Sequence, residues 1–146
     1  MGSEMCIRDS NLTGSYRMAR RATRTMLRAR WGRLIFVSSV VGLLGSAGQV
    51  NYAASKAGLI GMARSMAREL GSRSITANIV SPGPVATEMF ASLTEEQQSA
   101  ITNQVPLGRV AQPEEIAQTI AFLASESAAY ISGAVIPIDG GLGMGH

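Results

Sequence analysis

Between Asn11 and Arg30 the apolar residues Leu12, Tyr16, Ala19, Ala22, Met26 and Leu27 recur at three- and four-residue steps, which predicts an amphipathic helix ended by Gly32. The pattern then changes. Residues Arg33 to Ser38 carry the continuous apolar run Leu34-Ile35-Phe36-Val37, which reads as a parallel strand covered on both faces. From Asn51 to about Gly71 an Ala-rich helix follows, with Ala53, Ala54, Ala57, Gly58 and Gly61 small enough to let a second helix approach closely. Ser74 to Val80 gives a second buried strand. Residues 89–105 are amphipathic, with Thr94 as a helix cap and Glu95-Glu96 favouring the positive helix start. Pro113-Glu114-Glu115 opens a further helix to about Ser125, predicted to bury Ile116, Ile120, Phe122 and Leu123. Ala134 to Ile138 forms a last strand, where Pro137 demands an edge position because it has no N–H to give a ladder. Strands alternating with helices predict an α/β fold on a parallel sheet.

At 146 residues the chain is one domain's worth and long enough to bury a core. With 46% hydrophobic and 16% charged residues, and no unbroken apolar stretch of about 18, the composition is that of a soluble globular protein rather than a membrane span. Sixteen glycines and few aromatics suit tightly packed α/β layers better than a β-sandwich. The single cysteine, Cys6, can make no internal disulfide, and no Cys/His cluster offers a zinc site. A cytoplasmic setting fits. The net charge is +3, but Arg17, Arg20, Arg21, Arg24, Arg28, Arg30 and Arg33 crowd one segment. They read as a solvated helix face, and no aromatic platform accompanies them to suggest nucleic acid. Residues 1–10, MGSEMCIRDS, lack apolar periodicity and are too short and charged for a secretory signal; they are expected to be a foreign leader, with 11–146 as the domain.

The candidate chemistry lies between Ser39 and Lys56. Tyr52 and Lys56, the chain's only lysine, are four apart, so on a helix they share a face. An ammonium beside a phenol stabilises the phenolate, which makes Tyr52 a candidate general acid/base. Ser39, thirteen residues before Tyr52 and just past the strand-like run, can hydrogen-bond a substrate oxygen. The loop Gly42 to Gln49 is rich in glycine but has neither a G-x-G-x-x-G nor a G-K-[ST] pattern, so it is not a phosphate cradle. Downstream, Pro82-Gly83-Pro84 marks a rigid turn after a strand, the place where open α/β sheets hold ligands.

Ser39, Tyr52 and Lys56 at these separations, within S-S-V-V-G and N-Y-A-A-S-K-A-G, together with the P-G segment and the closing D-G-G, resemble the short-chain dehydrogenase/reductase family, nearest the 3-oxoacyl-[acyl-carrier-protein] reductases. The likeness runs from Asn11 to about Met144. It implies a Rossmann-like doubly wound parallel sheet and reduction of a 3-oxoacyl thioester with NADP(H), NAD being possible. It implies catalytic roles for Asn11, Ser39, Tyr52 and Lys56, although Asn11 alone would read as a helix cap. Tyr52, Lys56, Pro82, Gly83, Val85 and Thr87 would face the cofactor, and residues 89–105 would form a lid. Arg30 and Arg73 match positions that dock the acidic acyl carrier protein beside the active-site mouth. A homotetramer is implied for the full-length protein.

The likeness covers only the family's second half. The opening strand, the T-G-x-x-x-G-x-G turn and the N-N-A-G strand have no counterpart in the sequence, so the fold is expected to be truncated and the chain alone to bind nicotinamide cofactor poorly. Two alternatives therefore stay open: a different alcohol or sugar dehydrogenase of the same family, and a non-catalytic fragment.

Overall fold

The structure, a computed structural model, describes residues 2–144; Met1 and His146, the latter given no chemical role by the sequence, lie outside the described residues. Helix α1 (Gly2–Arg8), a wide π-type turn (Asp9–Thr13) and α2 (Gly14–Ala29) follow one another without a break, so helical backbone begins well before Asn11. Arg30, not Gly32, closes α2: it adopts the left-handed conformation with φ 51° and donates its N–H to the Met26 carbonyl. Gly32 instead starts β1, because a Cβ there would stand 2.5 Å from the Met26 sulfur.

Strands β1 (Gly32–Val37), β2 (Ile75–Pro82) and β3 (Val135–Ile138) form one parallel sheet in that order. Gly32 stands opposite Ile75, Val37 opposite Val80, and Ile79 opposite Val135. The helices after β1 are α3 (Val41–Leu44), α4 (Val50–Leu70), α5 (Glu88–Ala91), α6 (Glu95–Thr102) and α7 (Pro113–Ala124).

Helices cover both faces of the sheet, as the unbroken apolar runs require. Leu34, Phe36, Ala77 and Ile79 point one way and pack with Leu59 and Ala63 of α4 and Ala19 of α2. Ile35, Val80 and Ile136 point the other way, against Ile120 and Leu123 of α7. Each fully buried Leu or Ile contributes about 1.5–3 kcal/mol by leaving water. Asn78, in the middle of β2, is also fully buried. Its Nδ2 donates to the Ile131 carbonyl (2.8 Å) and its Oδ1 accepts from Ala134 N–H (3.0 Å), so the amide ties β2 to the segment that leads into β3.

Some expected burial is not found. Tyr16 and Leu27 of α2 stay exposed, and so does Phe122 of α7, which is 45% accessible. At 100° per residue Phe122 lies off the Ile116, Ile120 and Leu123 stripe. Arg33 departs the other way. The arginines of α2 are exposed, but Arg33 is only 5% accessible, pairs with Glu126 (3.5 Å) and stacks on Trp31, 5.0 Å from the ring centroid. Pro137 does occupy an edge strand, since β3 pairs only with β2, and β1 likewise has one partner strand among the described residues. Thr94 caps α6 as expected, with Gln97 completing the box.

Candidate active site

Parallel strands release their loops at a common end, and here the candidate residues gather at the C-terminal ends of β1 and β2. The pairing outlasts β1: Ser38 N–H donates to the Val80 carbonyl (2.8 Å) and Val40 N–H to the Pro82 carbonyl (2.9 Å). This lays Ser38 to Val40 beside Ser81 and Pro82. Ser39 is therefore held between two fixed neighbours, and its Oγ accepts from Val41 N–H (3.2 Å), which leaves the hydroxyl hydrogen free to donate.

Tyr52 stands in the first turn of α4 and Lys56 in the second. The Lys56 ammonium donates to the Val37 carbonyl (2.9 Å) and lies 5.7 Å from the centroid of the Tyr52 ring. Half-buried there, it is held below its usual 10.5 by desolvation. The three residues thus meet around the last residue of β1: Lys56 is bonded to it, Tyr52 lies against the Lys56 ammonium, and Ser39 follows two residues on. The glycine-rich loop folds into α3 and lies flat on α4, with Gly42 so near that a Cβ would be 2.9 Å from the Cβ of Lys56. It packs against α4 at the level of Lys56.

Pattern reading passed over the serines beneath. Ser38 is buried and its Oγ donates to the Lys56 carbonyl (2.9 Å); Ser55 is buried and its Oγ donates to the Tyr52 carbonyl (2.8 Å). A signal existed: Leu34, Phe36 and Ser38 occupy alternate positions, so Ser38 continues the inward face of the strand with a hydroxyl.

The P-G turn is clamped from both sides. Pro82 accepts from Val40 N–H, Gly83 donates to the Ile138 carbonyl (3.0 Å), and a Cβ on Gly83 would stand 2.8 Å from the Cα of Asp139. Val85 forms a lone parallel bridge with Ala111 through its neighbours, Ala111 N–H to the Pro84 carbonyl (2.9 Å) and Ala86 N–H to the Ala111 carbonyl (2.8 Å). Its own peptide groups consequently point away from Ala111. Thr87 caps α5 by accepting from Phe90 N–H (3.3 Å) and keeps its hydroxyl hydrogen free. Unspent peptide groups at Val85 and a free hydroxyl at Thr87 fit a carboxamide such as that of nicotinamide.

Asn11 sits in the π-type turn, a feature that often marks functional sites, and its carbonyl accepts from Ser15 Oγ (2.7 Å). The same turn packs on α4 through Leu12, which lies 3.1 Å from where a Cβ of Gly58 would be. The Asn11 side chain makes no direct hydrogen bond to Lys56, so any link between the two needs a bridging water.

Arg30 and Arg73 are not beside this mouth. Both are exposed and stand two residues before the paired starts of β1 and β2, at the other end of the sheet. Six strand residues at about 3.3 Å each separate the two ends by roughly 20 Å. On the far side of the P-G turn is a cavity of about 490 Å³, lined by Pro84, Val105, Leu107, Ile138 and Met144, with the Arg109 and Glu115 pair (2.7 Å) among its walls. Since Pro82 touches the Ser39 loop and Pro84 lines the cavity, the two sites are within about 7 Å along the backbone. Among the described residues no group of acids, histidines and cysteines could hold a metal, and no helix is long and apolar enough to cross a membrane.

Comparison with known proteins gives a consistent picture. The family described as enoyl-(acyl carrier protein) reductase matches residues 5–143. The 3-oxoacyl-[acyl-carrier-protein] reductase MabA of Mycobacterium tuberculosis is 55% identical over 138 residues, 94% of this chain and 56% of that protein. FabG of Pseudomonas aeruginosa, of the same printed activity, is 52% identical over 136 residues, 93% of this chain and 55% of its own. FabG of Vibrio cholerae is 50% identical over 138 residues, 94% of this chain and 57% of its own. The chain spans about half the length of the curated relatives it matches. On a match that runs through nearly all its residues, the chain belongs to the short-chain dehydrogenase/reductase family.

Proposed function

We propose that this chain is the proton-transfer and nicotinamide-facing half of an NADP(H)-dependent reductase, with NAD possible, acting on a 3-oxoacyl thioester carried by an acyl carrier protein. The observation that carries the reading is the meeting of Ser39, Tyr52 and Lys56 at one strand end beside the P-G turn. Ser39 donates to the substrate carbonyl oxygen and polarises it. Tyr52 gives its proton to that oxygen as negative charge develops there, and Lys56, fixed by Val37, holds positive charge next to the phenol. Asn11 supplies a water-borne proton route back to Lys56. The nicotinamide, when bound, supplies the hydride, and Val85 and Thr87 would hold its carboxamide, with Pro82 and Gly83 shaping the turn beneath. The cavity beyond Pro84, mostly apolar but with Arg109, Glu115 and Asp139 on its wall, favours an acyl-bearing substrate over a sugar alcohol.

Carrier docking stays with Arg30 and Arg73. At roughly 20 Å from the strand ends they would present the thioester to a neighbouring subunit of a tetramer rather than to their own Tyr52. Cytoplasmic fatty-acid synthesis is the setting this reading implies.

A chimera tests the proposal. The opening part of the Pseudomonas relative, up to the residue aligned with Asn11, is joined to this chain from Asn11 onward and assayed for NADPH-dependent reduction of 3-oxoacyl thioesters. Turnover that Tyr52→Phe abolishes is expected. A folded chimera that binds NADPH and reduces no 3-oxoacyl thioester would overturn it. A second reading follows from the family's description as enoyl reductase, and the same assay with trans-2-enoyl thioesters decides between them.

A further inference from the structure

Lys56 is tied at both ends to two consecutive residues of another element. Its ammonium donates to the carbonyl of Val37, and its own backbone carbonyl accepts from the hydroxyl of Ser38, each at 2.9 Å. A carbonyl in the second turn of a helix already has an intrahelical donor, so the second bond is an extra one and holds the helix to the strand at that residue. Ser38 is 3% accessible, and Gly42 closes the third side, leaving no room for a Cβ against Lys56. Beside Ser38 in the continued ladder is Ser81, fully buried, whose Oγ has no hydrogen-bond partner. A second hydroxyl is therefore kept, at a desolvation cost, at the position flanking Ser38. Hydrophobic residues at Ser38 and Ser81 would fill the same space without that cost, so packing alone does not account for them.

We propose that Ser38 and Gly42 are positioning residues for Lys56: they fix the height and rotation of α4 on the sheet so that the ammonium reaches the Val37 carbonyl beside Tyr52. This rests on the reading of Lys56 as the functional lysine, but it is a statement about how the unliganded chain holds that side chain. The effect passes through Lys56, since Ser38 is buried with its hydroxyl on the Lys56 carbonyl and Gly42 has no side chain.

Because the chain contains one lysine, isotope labelling of lysine gives a single side-chain signal, observable without cofactor or substrate. In the wild type the two ε-protons should be inequivalent, as in an immobilised side chain, and the amine should titrate below 10.5. Tyr52 is the titratable group facing it from α4, so the titration is repeated in Tyr52→Phe, where no phenol is present. Ser38→Ala should collapse the ε-proton inequivalence and move the titration up toward 10.5, while Ser38→Thr, which keeps the hydroxyl, should preserve both. Gly42→Ala, which pushes on the same helix from the other side, should reproduce the Ser38→Ala result if the serine variant does not fold. A folded Ser38→Ala or Gly42→Ala chain with an unchanged lysine signal would overturn the proposal. That result is separate from the chimera assay, whose failure would leave the lysine signal as it is.

Discussion

The two ends of the three-stranded sheet differ in what holds their side chains: one has an ion pair and a ring stack, the other hydrogen bonds to backbone. At the N-terminal end the chain turns from helix to strand through single residues in the left-handed conformation, Arg30 with φ 51° and Ser74 with φ 57°, and is fastened by Arg33, which stacks on Trp31, pairs with Glu126 and donates to the Gly32, Ser74 and Ser125 carbonyls. Those contacts leave Arg30 and Arg73 pointing to solvent. At the C-terminal end the pairing continues past the strands, and the side chains bond to backbone without an ion pair among them: Lys56 to Val37, Ser38 to Lys56, Ser39 to Val41, Thr87 to Phe90. Bonds of that kind fix a side chain while leaving some of its donors unused. One end is a fastening; the other holds polar groups ready for a ligand.

Substitutions can break this contrast. The largest effect is expected at Tyr52: Tyr52→Phe removes the proton donor and should lower reduction by about 10²–10⁴-fold without unfolding the chain, as followed by NADPH consumption in the chimera. Next comes Gly83→Ala, whose new Cβ would stand 2.8 Å from backbone of Asp139, an atom that cannot step aside. A loss of about 1–3 kcal/mol in urea unfolding is expected, together with weaker cofactor binding. A smaller and more selective effect is expected from reversing Arg30 and Arg73 to Glu: a several-fold rise in KM for the carrier-bound substrate, with a free thioester unaffected. Equal effects on both substrates would remove the docking role.

The smallest effect concerns Glu115 at the cavity wall. Its bidentate bond to Arg109, both contacts 2.7 Å, lowers its carboxyl from 4.5 to about 2. A folded-state value below the unfolded one means that the pair stabilises above pH 4.5 and that this contribution fades as pH falls through about 2. Exposed on the surface, it is screened, so Glu115→Gln should flatten only the acid limb of a thermal-stability profile between those values.

Much of this was legible in the sequence because the signals were periodic or fixed by spacing. The apolar runs of β1 and β2, the four-residue step from Tyr52 to Lys56 and the Thr94 cap all depend on local geometry alone. What the sequence did not give depends on distant partners. Nothing near Arg33 announces that Glu126 will meet it, and Phe122 is apolar yet lies off the buried stripe. Helical backbone from Gly2 to Arg8 runs straight into the turn that packs Leu12 on Gly58, and it lies against α4 itself, a long-range contact that no local pattern announces. Arg30 and Arg73 carry no sign of which sheet end they occupy; only the register of Gly32 with Ile75 decides it. Ser38, next to the more conspicuous Ser39, was hidden by its neighbour.

If the proton moves at the C-terminal strand end, it does so through Tyr52, and the most direct measurement is kcat of the Tyr52→Phe chimera beside its NADPH dissociation constant. A fall in kcat of at least about 100-fold is expected, with cofactor affinity retained within a few-fold. Turnover close to that of the unmutated chimera would contradict it.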